Sequence, residues 1–157
     1  MKASSLNELK KEVSTLSTKD LQAVCIRLAK YKKENKELLT YLLFEAQDEA
    51  AYVASVKAEL EEEFAAIPNP NLYYVKKSLR KILRMANRQI RYSESKQSEL
   101  EIRIHLCEQL KKSGTRMDKS PVIHNLYLNQ LKKIGTTLAK LPEDLQFDYQ
   151  RAIKNLS

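Results

Sequence analysis

The sequence predicts an all-α fold, and three observations carry that prediction. Only two glycines and four prolines occur in 157 residues, so sharp turns are few and sheet or barrel folds are disfavoured. Apolar residues recur three and four positions apart along most of the chain, which places them on one face of a helix. Nowhere do apolar and polar residues alternate strictly, as a half-buried strand requires.

The elements follow in order. Ser5 with Glu8 three residues later forms a capping-box pattern, and Leu6, Leu9, Val13 and Leu16 then mark a short first helix. Ser17 and Asp20 repeat the pattern and open a second helix with the stripe Leu21, Val24, Cys25, Leu28 and Ala29. Lys32 and Asn35 then interrupt the seam. They imply either a break, with Asn35 capping a new helix over KELLTYLLFEA, or one bent helix with a polar inclusion; the break is preferred. Asp48 caps the next helix, with Tyr52, Val53, Val56, Leu60 and Phe64 on one face and Glu59, Glu61, Glu62 and Glu63 near its end. Those carboxylates oppose the helix dipole and call for a positive neighbour.

IPNPN, Ile67 to Asn71, is the clearest punctuation in the chain. From about Leu72 a helix places Val75, Leu79, Ile82, Leu83, Ala86 and Ile90 on one side. Lys77, Arg80, Lys81, Arg84, Arg88 and Arg91 fall almost diametrically opposite. YSESKQSELE either continues this helix or breaks it between Ser93 and Ser98, where Ser98 and Glu101 form another capping pattern. Leu100, Ile104, Cys107 and Leu110 supply the next seam, and Gly114 fits a left-handed cap. Ser120 and Pro121 begin a helix with Ile123, Leu126, Tyr127, Leu131, Ile134 and Leu138, and Pro142 begins the last, with Leu145, Tyr149, Ala152, Ile153 and Leu156. The expected architecture is a single all-helical domain over residues 1–157. Its seven or eight helices are stacked as antiparallel hairpins or gathered in an irregular bundle.

Charge is distributed unevenly. The chain carries 28 basic and 20 acidic residues, a net charge of +8. Between Ile67 and Ser93 there are seven lysines and arginines and no acidic residue, so the surplus is concentrated on one helix. A proline loop would set that helix antiparallel to the preceding one, bringing Glu59, Glu62 and Glu63 toward Lys76, Lys77 and Arg80. Arg84, Arg88 and Arg91 would then have only Asp48 and Glu49 nearby, which leaves cations over.

Several chemistries lack their residue patterns. There is no glycine-rich phosphate loop, no GxSxG, no HExxH and no Cys/His zinc spacing. Glu101 and His105 read as an ion pair on one helix face rather than metal ligands. Cys25 and Cys107 read as buried reduced thiols. Tyr73, Tyr74 and Tyr92 bracket the basic helix, and packing of their rings is preferred to stacking on bases. No catalytic residue, metal, cofactor or small-molecule ligand is expected. The longest apolar run, LLTYLLF, is too short to span a bilayer, and no signal-peptide core precedes it, so a soluble cytoplasmic protein without membrane insertion is expected.

The order LSTKDL, KYKKENKELLTYLLF, VKAELEEEF, a proline loop, a lysine-rich helix and LKKSGTRM resembles an uncharacterised family of small bacterial all-helical proteins, a domain of unknown function. The resemblance implies an independent bacterial domain and brings no activity or functional residues. The residues alone suggest a non-enzymatic interaction or structural module. In this reading Lys77, Arg80, Lys81, Arg84, Arg88 and Arg91 dock an acidic protein surface or a second copy of the chain. Sequence-independent contact with a nucleic-acid backbone is the alternative.

Overall fold

Ser5 accepts from the backbone of Glu8, whose carboxylate in turn accepts from Ser5 N at 2.8 Å, so the capping box read from the sequence is formed. Comparable local chemistry sets most helix starts in the computed structural model, which describes residues 1–157 and contains eight α-helices and no strand. The chain folds as two compact units, Met1–Leu43 and Phe44–Ser157.

The first unit holds α1 (Leu6–Thr15), α2 (Thr18–Tyr31) and α3 (Lys33–Thr40). Ser17 caps α2 through Asp20 N at 3.1 Å. Lys32 is extended and separates α2 from α3, so the preferred break is present. Asn35 is not its cap; it lies inside α3 and its side-chain amide donates to Leu28 O at 2.8 Å. The expected helix over KELLTYLLFEA is shorter than anticipated, because the backbone passes into a π-helical turn at Tyr41–Glu45. No residue of α1, α2 or α3 is buried. Their apolar stripes are open: Leu6 is 77% exposed and Leu28 58%. Cys25 shares that exposure, which corrects its assignment as a buried thiol.

The second unit holds α4 (Glu49–Ala65), α5 (Leu72–Ser93), α6 (Lys96–Lys112), a 3-10 turn (Met117–Lys119), α7 (Pro121–Leu138) and α8 (Glu143–Lys154). Asp48, Asn71 and Ser120 cap α4, α5 and α7 with their side chains, and Pro121 occupies the first turn of α7. Glu94, at φ 56, ends α5 in a left-handed residue, and Ser95, not Ser98, caps α6; residues 72–112 are therefore two helices. Gly114 takes the left-handed conformation expected after α6, at φ 70.

Every apolar position predicted for the cores of α4 and α5 is buried. α6 is covered on more than one side. Besides Leu100, Ile104, Cys107 and Leu110, it buries Ile102, Leu106, Ser98 and Arg103. Polar contacts show what surrounds it. Lys57 of α4 meets Glu101 at 3.0 Å, Asn87 of α5 and Gln130 of α7 accept from Arg103 at 3.2 and 2.9 Å, and Tyr149 of α8 donates to Glu101 at 2.6 Å. Fully burying an apolar side chain contributes roughly 1.5–3 kcal/mol, so the nearly inaccessible Leu100, Ile102, Leu106, Cys107 and Leu110 make α6 the centre of this unit's stability. Tyr127 of α7 donates to Leu156 O and ties the chain's end to the same core.

A cationic face on the fifth helix

α4 and α5 run antiparallel as the proline loop implied. Where α4 begins and α5 ends Ser93 donates to Glu49, about one turn further Tyr52 donates to Gln89 O at 2.8 Å, and toward the end of α4 Lys81 meets Glu63 at 2.7 Å. The expected pairing of Glu59, Glu62 and Glu63 with Lys76, Lys77 and Arg80 does not form. Glu63 takes Lys81, Glu59 accepts from Gln89 at 3.2 Å, and the Lys76 ammonium lies 5.9 Å from the Tyr73 ring centre. The offset follows from the long loop after Ala65, which sets the helices so that residue 81, one turn beyond 77, reaches Glu63.

Of the six cations singled out in the sequence, Lys77, Arg80, Lys81, Arg84 and Arg91 are exposed, and Arg88 is half-buried. Their helix back, Val75, Leu79, Ile82, Leu83, Ala86 and Ile90, is buried. Lys81 is engaged by Glu63, and Arg88 is engaged within the fold. Lys77, Arg80, Arg84 and Arg91 meet no hydrogen-bond or ion-pair partner. Residues 77 to 91 span about 21 Å at a rise of 1.5 Å per residue. The Lys81–Glu63 pair on that row is an exposed pair of the kind that contributes only ~0–1 kcal/mol.

The tyrosines divide. Tyr92 is buried, but Tyr73 is 62% exposed and Tyr74 45%, edge to face with ring centres 5.4 Å apart. This corrects the packed-ring expectation for the first two, which occupy the open first turn of α5 beside the proline loop.

The expected Glu101–His105 pair is also absent, because each residue is engaged by a different partner. Glu101 is held by Lys57 and Tyr149. Burial alone would raise its carboxyl, but the hydrogen bonds from Tyr149 and Lys57 outweigh it and hold the pKa below the usual carboxylate range. The same site pushes the Tyr149 phenol up to about 12, by burial first and by Glu101 second. His105 Nε2 lies 3.0 Å from Glu61. Burial and the Lys57 charge nevertheless outweigh the attraction of Glu61 and Glu108, and the ring's pKa is lowered. No cluster of three or more His, Cys, Asp or Glu side chains has the arrangement to hold a metal ion.

Sequence reasoning missed a groove at the C-terminal end of the cationic row. About 670 Å³ in volume, it is lined by Arg91 and Glu94 after α5's buried stretch, Lys96, Glu99 and Arg103 of α6, and Lys133 of α7. These residues come from three helices, so no local spacing announces it. A basic residue on the core-facing stripe of α6, at position 103, was the one signal available.

No protein-family model, no curated protein and no solved structure matches this chain. No helix is long and apolar enough to cross a membrane.

Proposed function

We propose that this protein is a non-enzymatic helical interaction module that docks an acidic protein surface through the outer face of α5. The observation that carries this reading is the row Lys77, Arg80, Arg84 and Arg91, exposed and unneutralised on a helix whose opposite side is core. Net positive charge fixed on a rigid element attracts and orients an anionic partner.

A second reading has its own observation. Exposed Tyr73 and Tyr74 at the head of the cationic row are the residue types that single-stranded nucleic acids use, rings for bases and cations for phosphates. Immobilised poly-L-glutamate and a fluorescent single-stranded oligonucleotide serve as the two probes, with wild type compared to Arg80→Glu/Arg84→Glu. The expected result is retention on polyglutamate by wild type and its loss in the variant at unchanged helicity. Equal retention of the two proteins overturns the docking proposal. Tighter binding to the oligonucleotide, salt-dependent with a slope near −0.7 per contacted phosphate and weakened by Tyr73→Ala/Tyr74→Ala, transfers the role to nucleic acid.

A further inference from the structure

The groove between α5, α6 and α7 has the charge and the fixed donors of an anion site. Four cations line it, Arg91, Lys96, Arg103 and Lys133, against two carboxylates, Glu94 and Glu99. Glu99 is committed: it lies 2.9 Å from Arg103 Nη2 and 3.2 Å from Lys96 Nζ. Arg91 and Lys133 are exposed and meet no ion-pair partner.

Arg103 anchors the floor. Its side chain is only 7% exposed. The guanidinium is oriented by three side chains from three helices: Nε donates to Glu99 at 3.0 Å, and Nη1 donates to Asn87 at 3.2 Å and Gln130 at 2.9 Å. With Nη2 also turned to Glu99, one Nη2 N–H is left without an acceptor on a residue that lines the groove. A buried guanidinium held from three sides loses little side-chain freedom on meeting a further acceptor, which is the advantage of a prearranged fork over a flexible lysine.

The turn at Glu94 brings the C-terminal end of α5 and the N-terminal end of α6 to the same place. Their dipoles oppose one another there, so the side chains decide the local potential. Four cations against two carboxylates leave an excess of two positive charges, and a phosphate monoester carries about −1.5 to −2 at neutral pH. The volume exceeds what an inorganic phosphate fills, and Ile90 supplies an apolar surface beside the cations.

We propose that this groove binds a small phosphate monoester, its phosphate between Arg91 and Lys133 above Arg103 and its organic body against Ile90. The site shares Arg91 with the docking row of α5 but is separable from it, since Lys133 lies off that row and Arg84 lies off the groove.

Calorimetric titration with glycerol 3-phosphate at low ionic strength tests it, with inorganic phosphate as the second probe. The expected result is saturable binding at one site, tighter for glycerol 3-phosphate. Lys133→Gln and Arg91→Gln each weaken it about tenfold, as the loss of one charge-assisted bond implies, while Arg84→Gln leaves it unchanged. Lys133 is exposed, so its substitution does not threaten folding, and unchanged circular dichroism checks this. Absence of saturable heat up to millimolar ligand, or an equal loss in Arg84→Gln, overturns the proposal. If the Lys133→Gln protein keeps its polyglutamate retention while losing phosphate, the two sites are distinct.

Discussion

Replacing Arg103 by methionine removes the most heavily bonded side chain of α6 while keeping most of its aliphatic volume. Three hydrogen bonds and an ion pair disappear, to Glu99, Asn87 and Gln130. The two bonds to neutral amides contribute about 1 kcal/mol each. The carboxylate left behind adds about 1–3 kcal/mol, because Glu99 is only 14% exposed and keeps a single cation, Lys96 at 3.2 Å. Asn87 is half-buried and can turn to water, which moves the total toward its lower end, about 3 kcal/mol. That agrees with the general cost of removing one partner of a buried pair. Urea unfolding followed by far-ultraviolet circular dichroism measures it. Glu99→Gln alone should cost about 2 kcal/mol, because it strands the guanidinium. The double variant should cost clearly less than the sum, with a coupling of at least about 1.5 kcal/mol. A loss below about 1 kcal/mol for Arg103→Met, or strict additivity in the cycle, would refute the view that these groups form one interdependent network.

The two thiols should differ in reactivity. Cys25 is exposed, whereas Cys107 is buried beside Arg103 and burial pushes its thiol up to about 12. An aromatic disulfide reagent should therefore titrate one fast thiol in the native protein and the second only on unfolding; Cys25→Ser should abolish the fast phase. The two glycines should respond oppositely to alanine. Gly135 lies within α7 and a Cβ there would meet nothing within 4 Å, so Gly135→Ala should stabilise by about 0.5–1 kcal/mol. Gly114 has equal space but a φ of +70°, so Gly114→Ala should destabilise by about 1 kcal/mol. Thermal unfolding of both variants reads the two signs.

What the sequence made legible was local. Ser5, Ser17, Asp48, Ser120 and Pro121 declare helix starts because a cap is satisfied within three residues of itself. The seams of α4 and α5 were readable because each helix presents one face to the core. α6 was read only in part, since a helix enclosed on several sides loses the contrast on which periodicity depends, and Ile102 and Leu106 fell outside its single predicted seam. α1–α3 show the opposite difficulty: a stripe such as Leu6, Leu9 and Val13 identifies the apolar face but carries no statement of what covers it. The outward direction of Lys77, Arg80, Lys81, Arg84 and Arg91 was legible, whereas the half-buried, engaged position of Arg88 and the pairing of Lys81 were not. Which carboxylate reaches Lys81 depends on the loop between Ala65 and Leu72, not on charge order. The phosphate groove depends on Lys133, thirty residues beyond Arg103, and no short spacing could connect them.

The enclosed position of α6 also sets how this chain tolerates change over generations. Its polar side chains have obligations to α4, α5, α7 and α8, so drift at Asn87, Gln130 or Tyr149 strands a group on α6 and must be answered by a second replacement elsewhere. Lys77, Arg80 and Arg84 carry no such obligation to the rest of the chain. Any constancy of charge at those three positions among descendants is therefore imposed from outside the molecule.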